Sequence, residues 1–78
     1  MNKIDITRYP SGTIKHETPF VNGVRHGVEK FYYENEVLKW VIPFKNGLEH
    51  GSVIQYNTDG SIKSKMEFIE GNQVETEM

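Results

Sequence analysis

The sequence predicts an all-β fold: a single antiparallel β-meander of about three stacked hairpin repeats, one every 24 residues. Three observations lead there. The stretch Asn22-Gly23-Val24-Arg25-His26-Gly27 returns as Asn46-Gly47-Leu48-Glu49-His50-Gly51. Phe20, Phe44 and Phe68 keep the same step of 24 residues, as do Lys15, Lys39 and Lys63. Between these landmarks bulky residues alternate at two, where a helix would need them every three or four positions. A fixed period of this length makes each unit one supersecondary element that stacks on its neighbours to bury its apolar face.

The first strand is predicted over residues 4–9, with Ile4 and Ile6 on one side and Asp5 and Thr7 on the other. Pro10-Ser11-Gly12-Thr13 reverses the chain, proline presetting φ and glycine supplying positive φ. In residues 14–20, Ile14, His16, Thr18 and Phe20 share a face. Their repeat mates are Leu38, Trp40, Ile42 and Phe44, then Ile62, Ser64, Met66 and Phe68, so three strands are expected to share one buried face. Pro19 and Pro43, one residue before their strand ends, belong where no ladder partner faces the nitrogen. The segment from Val21 or Lys45 to the second glycine reads as too long for a two-residue hairpin, so a four- or five-residue loop with one left-handed glycine is expected.

Residues 28–33 and 52–57 read as strands with less distinct faces. In the turn after the first of them, Glu36 stands where Gly12 and Gly60 stand. Either Glu36 takes positive φ at a cost on the order of 1 kcal/mol, or Asn35 takes the awkward conformation instead. The third copy decays after Phe68, with Val74 and Glu75 in the His-Gly positions; Glu75 and Glu77 suit a polar stop or a frayed tail. One domain, residues 1–78, is predicted, with repeats at about 8–31 and 32–55 and a degenerate third at about 56–75.

The unit Tyr33-Glu34-Asn35-Glu36-Val37-Leu38-Lys39, then Pro43-Phe44-Lys45-Asn46-Gly47, then His50-Gly51, resembles the variant MORN repeat of the bacterial YwqK-type antitoxin family. Two nearly full copies and a decayed third cover residues 9 to about 73; Glu36 departs from the family's glycine. The resemblance implies a β-meander that binds another macromolecule, with an antitoxin role for the family name. It makes Gly23, His26, Gly27, Gly47, His50 and Gly51 structural repeat positions.

The 78 residues allow one domain with a thin stability margin. Nine basic and eleven acidic residues, mixed along the chain, give a net charge of −2 and no evident basic face. Nucleic acid and anionic membranes are therefore not expected partners. With no cysteine there is no disulfide or thiol chemistry, and no run has the length of a signal peptide or membrane span, so a cytoplasmic location is expected.

No metal or cofactor site is expected. His26 and His50, in successive hairpins, would lie about 9–10 Å apart, too far to share a zinc ion about 2 Å from each nitrogen. Each imidazole is expected to bond loop backbone or pack on the next unit's aromatic, and His16 reads as a half-buried strand residue. No nucleophile elbow, phosphate-cradling loop or zincin helix is present, so no catalysis is expected. What remains is surface. Thr7 and Gln55 stand where the middle unit has Phe31, and His16 and Ser64 where it has Trp40. Phe31, Tyr32, Tyr33 and Trp40 are thus the candidate contact patch, against the plainer reading that a middle unit has more core to fill. The expected function is non-catalytic protein binding: a small inhibitor or antitoxin occluding a toxin or other enzyme, or a phage or mobile-element inhibitor of a host enzyme. The rival is a structural repeat that forms a homodimer through its sheet edges.

Overall fold

Every alternating run is a strand in the computed structural model, which describes residues 1–74. The strands are β1 (Asn2–Arg8), β2 (Ile14–Val21), β3 (Val24–Arg25), β4 (Gly27–Tyr32), β5 (Leu38–Lys45), β6 (Leu48–Glu49), β7 (Gly51–Tyr56), β8 (Ile62–Ile69) and β9 (Asn72–Val74). They form one antiparallel sheet in the order β1-β2-β4-β5-β7-β8-β9, with β3 paired to β2 and β6 to β5. The polar stop expected at Glu75 and Glu77 lies outside the described residues.

The glycine-rich segments differ from the expected loop. Asn22-Gly23 and Asn46-Gly47 are two-residue hairpin turns, closed by Val21 opposite Val24 and Lys45 opposite Leu48. Both turn residues have positive φ, 51° and 85° in the first and 51° and 86° in the second, the combination that matches strand twist. After a two-residue arm the chain jogs at His26 or His50 into the next long strand. That jog explains the prolines, whose carbonyls accept from the histidine amides (His26 N to Pro19 O 3.2 Å, His50 N to Pro43 O 3.0 Å). The third unit keeps the same turn at Glu70-Gly71.

The opposite turns settle the Glu36 question. Glu36 itself adopts φ 72°, where Gly12 and Gly60 have 100° and 90°, while Asn35 accepts from the Val37 amide at 3.1 Å. Glu36→Gly is expected to raise stability by about 1 kcal/mol, read from a denaturant midpoint; no gain would show that the site carries no strain. In the third turn the Ser61 hydroxyl and amide donate to Asp59, holding its carboxyl below the usual range.

Successive units are bolted together at both ends with the sequence period. The Asn46 amide donates to His26 Nδ1 at 3.1 Å and the Glu70 amide to His50 Nδ1 at 3.3 Å. Beside these bonds, the Gly47 amide donates to Arg25 O and the Gly71 amide to Glu49 O. At the other end the Tyr9 hydroxyl donates to Tyr32 O at 2.6 Å and the Tyr33 hydroxyl to Tyr56 O at 2.7 Å.

Among the described residues nothing forms a covering layer over the sheet: its extents are 41 × 35 × 10 Å, the smallest being about one sheet spacing. This corrects the expectation of one buried face. Among the described residues Val53 is the only buried hydrophobic, at 3% exposure, and the shared-face aromatics stay half-buried. Cohesion therefore comes from the ladder, side-to-side packing and the inter-unit bonds, not from a closed core.

Candidate functional site

Pairing register determines which side chains share a face, because directly opposed residues project to the same side. One row crosses the sheet as His16, Phe31, Trp40, Gln55 and Ser64. The adjacent row holds Ile42, opposite Glu29, and Val53, opposite Met66. Phe31, Trp40, Ile42, Val53, Met66 and Phe68 line a groove of about 470 Å³, with Lys39 and Glu49 at its margin. An open apolar concavity of this kind takes a protruding side chain or peptide segment.

The four predicted contact residues do not come together. Phe31 and Trp40 are directly opposed on the grooved face. Tyr32 projects to the other face, where its hydroxyl donates to Glu17 Oε1 at 2.8 Å. Tyr33 lies at the turn, bonded to Tyr56 O. Alternation separates Phe31 from Tyr32, and the irregularity between them leads into the turn. Ile42, Met66 and Phe68 were legible as face-mates of Trp40, but Val53 sat in a strand whose faces looked alike.

Tyr32 carries a pH signature. Burial first, and then its bond to the Glu17 carboxylate, push its pKa up to about 12 from 10.0. A pKa raised by folding means the neutral phenol is favoured in the fold. This stabilisation is complete below pH 10 and is lost as pH rises toward 12. Melts across that window should fall less steeply for Tyr32→Phe than for the wild type; equal slopes would remove the assignment.

Beside the groove lies a buried polar cluster that sequence reasoning missed. Thr18 and Glu29 are 3% and 5% exposed. The Thr18 hydroxyl donates to Glu29 Oε2 at 2.7 Å, and His16 Nε2 lies 2.6 Å from the same oxygen. Arg25 Nε stands 3.9 Å away, and the His16 ring stacks on Phe31 with centroids 4.1 Å apart. A nucleophilic relay uses the two imidazole nitrogens separately, one for the hydroxyl and one for the acid. Here Nε2 faces both, so the cluster satisfies a buried carboxylate and orients Phe31. Among the described residues no group of three or more His, Cys, Asp or Glu side chains could hold a metal ion.

The opposite face corrects the picture of evenly mixed charge. Strand alternation places Lys15, Lys30, Lys63 and Lys65 there, with Glu17 and Glu67 as the acids between them, whereas Lys39, at the register shift of β5, reaches the groove's margin. Lys15 sits over the Tyr9 ring at 5.8 Å and Lys39 over Tyr33 at 5.6 Å, again one period apart. The overall charge of −2 conceals a lysine-studded face behind a grooved, apolar one.

Hairpins repeating every 24 residues, joined by histidine and tyrosine bonds into one open antiparallel sheet, define a β-meander repeat protein. The chain belongs to the MORN repeat variant family: the family model matches residues 25–46 and 49–70, more than half of the chain and one period apart. Comparison with curated proteins and with solved structures gave no match. No helix among the described residues is long and apolar enough to cross a membrane.

Proposed function

We propose that this protein is a non-catalytic binding module that seats a segment of a partner protein in the Phe31–Trp40 groove and inhibits that partner by occlusion. The observation that supports this reading is the groove itself, which holds rigid aromatics, a methionine and aliphatics on a sheet that no other described segment covers. Large aromatics and adaptable methionine are the side chains from which interface centres are built. The likeness to YwqK-type antitoxins favours a toxic enzyme as the occluded partner; a host enzyme blocked by a phage or mobile-element inhibitor uses the same surface. Either version acts in the cytoplasm without cofactor or metal.

The experiment is co-purification from the native host. Recovery of an enzyme at one-to-one stoichiometry, with its activity suppressed in the complex and restored on release, supports the proposal. Recovery of an enzyme that stays active while bound contradicts it.

A further inference from the structure

The edge strand β1 supplies an interaction surface independent of the groove. Among the described residues β1 ends the sheet and pairs only with β2. Its equivalents one and two periods on, β4 and β7, are covered along the same edge, Lys30 by Glu17 and Ile54 by Val41. On β1 this edge is bare and long, which invites another strand.

Which groups it offers follows from the ladder. Met1 O accepts from the Asn22 amide, so the odd residues of β1 turn their backbone groups toward β2. Pro19, opposite Ile4, turns its carbonyl the other way, to the His26 amide. Asn2, Ile4 and Ile6 therefore direct their N–H and C=O groups outward, and the Ile4 and Ile6 side chains are 62% and 46% exposed. A partner strand must meet this phase.

We propose that β1 pairs antiparallel with β1 of a second copy across a twofold axis at Ile4. This register opposes Ile4 to its own mate and Asn2 to Ile6, giving up to about six backbone hydrogen bonds. It also sets Lys3 directly opposite Asp5 of the other copy in the closely spaced non-bonded pairs, on the grooved face. Lys3 and Asp5 already stand 3.3 Å apart within one strand, so the twofold makes a cluster of alternating sign. An axis at Asp5 would oppose Asp5 to its own mate and so set like charges face to face. An axis at Ile6 leaves Lys3 without its acid. The twofold runs perpendicular to the sheet, so both grooves open on one side of a doubled sheet.

The test is sedimentation equilibrium of the full chain from micromolar to millimolar concentration, with amide exchange of the same samples. The expected result is a mass rising from one 9.1 kDa chain to two. The Asn2, Ile4 and Ile6 amides should gain protection with concentration while Lys3 and Asp5 do not change. Asp5→Lys should weaken association roughly tenfold, and adding Lys3→Asp should restore it by reversing both signs. Thermal melts of both variants separate this from loss of fold. A monomer at millimolar concentration overturns the proposal. So does a dimer with unprotected Ile4 and Ile6 amides, or one that the charge swaps leave unchanged.

Discussion

Replacing Trp40 with alanine is expected to weaken partner binding by about 30-fold or more, the loss typical of a central aromatic anchor. Trp40 stands at the middle of its row, with Phe31 opposite on one side and Gln55 on the other, and forms a wall of the groove. It is half-buried, so the fold should lose about 1–2 kcal/mol, well short of a core tryptophan. Titration of the co-purified partner against a variant shown to be folded by its melt measures the two effects separately. Binding at full strength in a folded Trp40→Ala protein would move the contact site off this face.

The largest loss of stability is expected from Gly51→Val or Gly27→Val. Two costs coincide there. The backbone φ values are 121° and 114°, disfavoured for any side chain and most for a β-branched one. A Cβ would also stand 3.1 Å from Cγ of Pro43 or Pro19, held by the jog that the histidine amide closes. Strain and overpacking together come to about 3 kcal/mol. A chain this size has only about 4–12 kcal/mol in total. Gly71→Val should cost less: its φ of 86° carries the strain, but the nearest atom to a Cβ is the Leu48 side chain at 3.5 Å. Denaturant midpoints of the three variants decide it; equal losses would mean that proline packing at the jog contributes nothing.

Strand order and register were legible because the period carries them. Once Ile14, Leu38 and Ile62 are superposed, hairpin reversal and antiparallel pairing follow. The two-residue turns were hidden because Val24-Arg25 and Leu48-Glu49 are too short to show alternation, so each glycine-to-glycine span read as one loop. Tyr32 and Tyr33 joined Phe31 through sequence adjacency, although alternation alone would have put Tyr32 on the far face. The same alternation, read off the sequence, already sets Lys15, Lys39 and Lys63 apart from the apolar face-mates of their strands. The buried Glu29 left no such signal: an acid in an indistinct strand gives no sign that Thr18 and His16, more than ten positions earlier, converge on its carboxylate.

Hydroxyl-radical footprinting of the co-purified complex, compared with the free chain, asks most directly whether the uncovered aromatic face meets the partner. Protection of Trp40, Phe31, Met66 and Phe68, with Tyr32 and Tyr56 still reactive, is the predicted outcome. Undiminished oxidation of Trp40 and Met66 in the complex, with protection confined to the lysine-studded side, would contradict it.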